Sequence, residues 1–467
     1  MSETVEENAN QIHIEAEPGG VTAAKGFYAA SCAAGIKYAG RQDMALIYSD
    51  APCSYGGVFT RNVVKAAPVV WDREILASGG CVRAVVVNAG IANACTGAEG
   101  YGYCKETAAS AARALNQGIT GDGIPVADHR GEKWPVDTAG APGRAATAGG
   151  SDAMGWASQD TAMVMPSQVL VASTGVIGKQ LPMERIRAGV EMLVGGLETG
   201  PEAGNLAAKA IMTTDTVEKE AAATVDIGGK PVRVGGMCKG SGMIHPDMCT
   251  MLAFVTTDAD ISPALLQEAL AADVQDTFNM VSVDGDTSTN DTLVVLANGR
   301  AGNQPIVEKG EDYLRFCAAL HYVNETLAKK IAGDGEGCTA LFEVKVVGAA
   351  DKAQAATLAK SVIGSSLTKA AIFGHDANWG RILCAMGYSG AQFDPETVDL
   401  WFESAAGKLQ IVENSVACDY SEETATQILS CPAVTAIIDI KAGDARATAW
   451  GCDLTYDYVK INADYRS

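Results

Sequence analysis

Lys239-Gly-Ser-Gly-Met-Ile-His-Pro-Asp-Met-Cys-Thr250, running without a break into Met251-Leu-Ala-Phe-Val255, is the stretch on which the reading of this chain turns. A glycine-hinged loop closes on Pro246, and a hydroxyl residue then takes the first position of an apolar run that reads as a buried strand. That is where a chain would place a threonine whose own backbone nitrogen must become a free amine. A threonine hydroxyl is a poor nucleophile at neutral pH, and an α-amine with an ordinary pKa of roughly 7.7–8.0 can take its proton. The amine exists only once the Cys249–Thr250 bond is cut.

Working outward, the 467 residues exceed the length at which one core stops growing, so two lobes are expected. With 48% hydrophobic and 19% charged residues the chain buries a large core. A net charge of −21 and a pI near 4.6 argue against nucleic acid or an anionic membrane as partner, because both need clustered Lys and Arg. A small molecule or a protein is left. The acidic start, Met1-Ser-Glu-Thr-Val-Glu-Glu-Asn-Ala-Asn10, lacks the basic and apolar regions of a secretory signal, and no apolar run approaches the ~20 residues that span a bilayer. A cytoplasmic protein is expected. Thirteen cysteines are scattered through apolar segments with no Cys-x-x-Cys pair, which reads as buried free thiols in a reducing compartment, and no metal is assigned.

Residues 1–17 read as a solvated tail or a first edge strand. Short apolar runs such as Met44-Ala-Leu-Ile-Tyr48 then alternate with turn residues, the pattern of strands layered with helices. The strand Arg83 to Asn88 ends in Ala89-Gly-Ile-Ala-Asn-Ala-Cys-Thr-Gly97, ahead of a helix over Tyr103–Leu115. That small-residue loop suits close approach of a ligand, and equally suits a tight turn that only lets helix and strand pack. Residues 118–165, with Trp134 and Trp156 among Gly, Pro, Asp and Ala, hold no helix or strand period and read as a solvent-exposed insertion, a surface flap or oligomer contact. Gln168–Ala172 resumes a buried strand and delivers Ser173-Thr-Gly-Val-Ile-Gly178, whose glycine can expose N–H groups to a developing oxyanion. Helices are expected near Pro182–Leu197, behind the Ser262-Pro263 cap, and over Tyr313–Ile331. Asp284-Gly-Asp-Thr-Ser-Thr-Asn-Asp291 alternates like a calcium loop but lacks its sixth-position Gly and twelfth-position Glu, so it is read as shaping backbone near the site. The last ten residues, Tyr458–Ser467, alternate like a strand.

Lys239-Gly-Ser-Gly-Met-Ile-x-Pro-x-Met-x-Thr-Met-Leu-Ala-Phe254 resembles the self-cleavage motif of the ornithine acetyltransferase (glutamate N-acetyltransferase) family of arginine biosynthesis. Further blocks of that family follow in its order from end to end: Gly20–Phe27, Val58–Asn62, Asn93–Gly97, Ser173–Gly178, Ile211–Thr216, Asp334–Gly337, Asp376–Arg381 and Asn462–Ser467. The chain departs from the usual pattern at Cys249, where Ala is expected, at His245 and Asp247, and at His375, where Arg is usual. In the family the connection at 118–165 is much shorter.

The resemblance implies an α/β fold, a layered αββα-type sandwich with a second, smaller C-terminal α/β lobe. It implies cleavage between Cys249 and Thr250 into fragments 1–249 and 250–467, which stay together as a heterotetramer of two of each. It makes Thr250 the nucleophile, with Thr174 and Gly175 as the oxyanion hole. Thr213, Thr214, Lys239, Glu336, Asn462 and Ser467 contact substrate. Thr250 attacks the acetyl group of N-acetylornithine, ornithine leaves, and glutamate takes the acetyl group in a ping-pong transfer. No cofactor is implied. Acetyl-CoA stays open as a second donor, although no nucleotide motif supports it: Gly240-x-Gly242-x-x-His245 lacks the third Gly. The rival reading is a self-processing aminopeptidase or amidohydrolase in which water replaces the acceptor amine. Another is a binding protein that has lost turnover.

Overall fold

The computed structural model describes residues 12–120, 163–245 and 251–464. Its strands, in chain order, are β1 (Ile14–Glu17), β2 (Phe27–Cys32), β3 (Met44–Phe59), β4 (Val82–Ile91), β5 (Val169–Val176), β6 (Lys219–Ile227), β7 (Lys230–Lys239) and β8 (Leu252–Thr257). There follow β9 (Val281–Ser282), β10 (Thr292–Ala297), β11 (Leu341–Ala349), β12 (Asp399–Ser404), β13 (Gly407–Glu413), β14 (Val416–Ala417), β15 (Ala433–Asp439) and β16 (Ala445–Cys452). They form two sheets. One runs β1-β6-β7-β8-β10-β3-β4-β5 with β2 also on β3, and the other runs β14-β13-β12-β15-β11-β16-β9.

The long β3 organises the first sheet. Its first part pairs with β2 and β4 (Met44↔Asn88), its last part pairs with β10 (Phe59↔Thr292), and the register shifts between Tyr48 and Cys53. On one face of this sheet Leu252, Phe254, Val294 and Leu296 share a core with strand residues of β4 and β5. Their neighbours Ala253, Val255, Leu293 and Val295 face the opposite way, into a second core that contains Phe316, Leu320 and Leu327. Residues pointing alternately into two apolar cores explain why β8 and β10 read as unbroken apolar runs.

Helices Ala67–Ser78, Gly97–Thr120 and Met183–Gly195 cover the first core. Helices Pro263–Asp273 and Glu311–Ala332 lie on the other side, the latter against β6 and β7 and also touching β16 of the second sheet. The fold is the mixed α/β arrangement with two sheets that the sequence suggested. Ser262 caps its helix as expected, its hydroxyl accepting from the Leu265 N–H at 3.3 Å behind a first-turn Pro263.

Four expectations are corrected. The terminal residues are not a strand: Tyr456–Ala463 is a helix, capped by Thr455, whose hydroxyl accepts from the Tyr458 N–H at 3.4 Å. The helix expected over 103–115 extends over Gly97–Thr120. The stretch read as solvent-exposed over 118–165 is not so at its described edges: residues 118–120 continue that helix, and Val164 is buried, clasped by Asn116 through paired bonds of 2.9 and 2.7 Å. Trp134 and Trp156 lie outside the described residues. The described cysteines are free, but Cys95 and Cys384 are exposed rather than buried. Among the described residues no helix is long and apolar enough to cross a membrane.

Candidate active site

The site lies where β5 and β7 end and β8 begins. At the end of β5, Gly175 pairs with Gly90 of β4 at a φ of +122°, and a Cβ added there would stand 2.3 Å from the Gly90 carbonyl carbon. Only glycine lets the two strand ends approach this closely. Asn290, in the turn before β10, bolts that corner down by donating to the Ala92 and Ser173 carbonyls at 2.6 and 2.8 Å.

Thr213 and Thr214 follow helix Pro201–Ala210 and are held by Asp215, whose side chain is fully buried. The Asp215 carboxylate accepts from the Thr213 N–H (2.9 Å), from the Gly240 N–H (2.6 Å) and from Lys219 Nζ (2.8 Å), tying the threonine loop to the glycine loop behind β7. Burial alone would raise this carboxyl, but the Lys239 and Lys219 ammoniums and the Thr213 N–H hold it well below the ordinary carboxylate range. Lys219 also reaches Asp334 at 2.5 Å, and Asp334 in turn accepts from the Thr216 N–H and hydroxyl. Burial would lower the Lys219 ammonium, yet Asp215 and Asp334 raise it.

Two residues beyond Asp334, the Glu336 N–H donates to the Ser241 carbonyl at 2.9 Å and its carboxylate accepts from Asn462 Nδ2 at 2.7 Å. Ser241 shares a 2.8 Å bond with the Thr214 hydroxyl. Gly242 makes room for Glu336: a Cβ there would lie 2.3 Å from Oε2. Lys239 reaches Asp215 only at 3.9 Å, so that pair does not consume its three donors. Asp284 accepts from the Met243 and Ile244 N–H groups at 2.6 and 2.8 Å, and from the Tyr458 hydroxyl at 3.2 Å, linking the glycine loop to the terminal helix.

These elements enclose a cavity of about 270 Å³. Thr174, Gly175, Thr213, Thr214, Lys239, Glu336 and Asn462 all line it, together with Met251 and Leu252. The described residues singled out from the sequence are therefore brought together. Cys249, Thr250 and Ser467 lie outside the described residues, and Met251, which follows Thr250, stands in the cavity wall. An adjoining cavity shares Gly175, Val176, Thr213 and Thr214, and adds Lys37, Arg41 and Asp43. Sequence reasoning assigned no role to Asp215, Lys219 or Asp334, and it read Asn290 and Asp291 only as part of the loop Asp284–Asp291 that shapes backbone near the site. The only signal for the first and third was their place inside the blocks Ile211–Thr216 and Asp334–Gly337.

Fold and cavity together define a two-sheet α/β enzyme whose pocket sits at strand ends and opposes an ammonium to a carboxylate. The chain belongs to the ArgJ family, acyltransferases of arginine biosynthesis, which it matches over residues 28–126 and 139–467. The gap at 127–138 falls inside the stretch read as an insertion. The arginine biosynthesis bifunctional protein ArgJ of Symbiobacterium thermophilum is 48% identical, over 96% of this chain and 99% of its own length. That of Thermotoga neapolitana is 45% identical, over 93% and 99%. Among solved structures, the ornithine acetyltransferase of Mycobacterium tuberculosis complexed with ornithine is 36% identical, covering 51% of this chain and all of that one, with a TM-score of 0.39.

Proposed function

We propose that the chain transfers an acetyl group from N-acetylornithine to glutamate through an acetyl-Thr250 intermediate, after cutting itself between Cys249 and Thr250. The observation that carries this reading is that Met251, the residue bonded to Thr250, lines the same cavity as Thr174, Gly175, Lys239 and Glu336. With its α-amine as base, the Thr250 hydroxyl attacks the acetyl carbonyl. The Thr174 hydroxyl and Gly175 N–H stabilise the oxyanion, an interaction worth about 10²–10³ in rate for one donor. Ornithine departs, glutamate enters, and its amine takes the acetyl group.

One pocket serves both substrates because both carry an α-amino-acid core. The Lys239 ammonium suits the carboxylate and Glu336 suits the ammonium. Thr213, Thr214, Asn462 and Ser467 complete the contacts. Acetyl-CoA serves as a second donor, in keeping with the bifunctional relatives. The scheme draws on no metal or cofactor, and the enzyme works in the cytoplasm as two copies of each fragment.

The test is acetyl transfer to glutamate from acetylornithine and from acetyl-CoA, with a denaturing gel of the same preparation. Fragments 1–249 and 250–467 and acetylornithine-dependent transfer are expected, with Thr250→Ala left uncut and inactive. A full-length band that Thr250→Ala leaves unchanged would refute the cleavage. Release of free acetate without glutamate would replace the transferase by a hydrolase.

A further inference from the structure

Asp291 is a carboxylate that the scheme above does not use. It lies just before β10, is 1% exposed, and lines the cavity beside Lys239 and Met251. Its backbone is fixed from both directions: its carbonyl accepts from the Thr60 N–H at 3.0 Å, and the next residue, Thr292, donates to the Met251 carbonyl at 2.9 Å. The parallel register Thr292↔Leu252 sets Asp291 alongside Met251. The Ser288 and Thr60 hydroxyls and the Met251 N–H lie against the carboxyl. Even so, its Oδ2 has no hydrogen-bond partner among the described residues. A buried carboxyl oxygen left unpaired is costly, so a purely structural aspartate would be expected to have both oxygens satisfied.

Met251 N is bonded to the Thr250 carbonyl carbon, so the Thr250 nitrogen is only three bonds from Met251 N, within about 4 Å by covalent geometry. We propose that Asp291 is the acid of the self-cleavage step, protonating the Thr250 nitrogen as it leaves the Cys249 carbonyl. This rests on the cleavage read above. The Thr250 Oγ–C bond forms on the Cys249 carbonyl carbon and the C–N bond breaks. Asp291 gives its proton to the nitrogen and takes up the one released by the hydroxyl. The product is an ester with a free amine, and water then splits the ester to leave the Cys249 carboxyl and the Thr250 hydroxyl. Asp291 ends as it began. Burial pushes its carboxyl well above the carboxylate range, against the pull of the Ser288 and Thr60 hydroxyls and Lys239, so it has a proton to give.

The experiment follows cleavage of freshly synthesised full-length chain on denaturing gels, for the wild type, Asp291→Asn and Thr250→Ala, with and without hydroxylamine, which cuts esters. The wild type should cut, and Asp291→Asn should cut at least about 100-fold more slowly, the usual weight of a positioned acid. Hydroxylamine should not rescue it, because the ester never forms. Cutting within threefold of wild type overturns the proposal, and so does rescue by hydroxylamine, which would place Asp291 after the ester. A wild type that does not cut defeats the cleavage reading itself. If Asp291→Asn melts far below the equally uncut Thr250→Ala, the pair Asp291→Glu and Asp291→Gln decides. The acid must cut faster than the amide, and equal rates overturn the role.

Discussion

Gly242→Ala isolates the Glu336 contact from everything else in the pocket. Gly242 is not among the residues with left-handed backbone, so alanine is conformationally acceptable there. The added methyl, however, would stand 2.3 Å from Oε2, 2.4 Å from Cδ and 2.5 Å from Oε1 of Glu336. The obstacle is the mobile end of a side chain rather than backbone, so the carboxylate swings aside and the chain stays folded. What is lost is the 2.7 Å bond from Asn462 and the alignment of the carboxylate in the cavity. A hydrogen bond to a charged group is worth about 1.5–3 kcal/mol, which converts to roughly 10- to 150-fold in kcat/KM. Steady-state transfer to glutamate should show that loss mainly through KM, while the melting temperature moves by no more than about 2 °C. The double variant supplies the control. In a Glu336→Ala background the methyl has room, so Gly242→Ala should add nothing, a non-additivity diagnostic of direct contact. A Gly242→Ala enzyme with kcat/KM within twofold of wild type, or one whose effect adds fully to that of Glu336→Ala, would refute the argument.

Lys219→Met should cost about 3–5 kcal/mol in thermal or denaturant unfolding, because it leaves Asp215 and Asp334 buried without their shared cation. The Asp215 carboxyl sits below its ordinary value in the folded chain, so its stabilising contribution is present above about pH 4 and is withdrawn as pH falls through the folded value. The deficit of Lys219→Met relative to wild type should accordingly narrow as pH falls, because protonation discharges the buried carboxylates left without that cation. Gly175→Ala forces a Cβ into the Gly90 carbonyl carbon at a φ of +122°, and should lose at least about 1–3 kcal/mol of stability together with transfer activity. Thr455→Ala removes the cap of the terminal helix and a 2.7 Å bond to the Gly337 carbonyl. It should cost about 0.5–2 kcal/mol by thermal melting and raise KM through Asn462.

Local chemistry was legible where it is written locally. The Ser262-Pro263 cap, the continuous apolar runs of β8 and β10 and the strand-to-glycine turn at Thr174-Gly175 each follow from neighbouring residues. The ion network was not legible, because Asp215, Lys219 and Asp334 meet only after β6 and the helix Glu311–Ala332 have packed together. The terminal helix was misread for a different reason: none of its residues is buried, so it leaves no apolar period. Its only signal was Thr455, three residues ahead of Tyr458. Asp291 is legible only as the last residue of an aspartate-rich loop that reads as shaping backbone near the site. Its unpaired oxygen and its place beside Met251 are properties of the folded sheet.

If the chain cuts itself before Thr250, the order of strands determines what happens to the pieces. Residues 1–249 own β1 to β7 and residues 250–467 own β8 to β16. In the first sheet the two strands of the second piece, β8 and β10, lie side by side between β7 and β3, both of which belong to the first. Six residue pairs join β7 to β8, from Val234↔Thr257 to Lys239↔Leu252, and six join β10 to β3. The second piece also supplies Leu252, Phe254, Val294 and Leu296 to a core otherwise built from the first. At about 1.5–3 kcal/mol for each buried side chain, those four alone hold roughly 6–12 kcal/mol before any backbone bond is counted. Separation would strip both ladders and open that core, so the cut leaves a noncovalent complex that parts only when the fold is lost. The pieces should therefore co-elute on native size exclusion and split on a denaturing gel. Uncut Thr250→Ala should melt within a few degrees of the cleaved enzyme, since rejoining the ends adds only a short local tether. Dissociation under native conditions would show that strand interleaving does not hold the halves together.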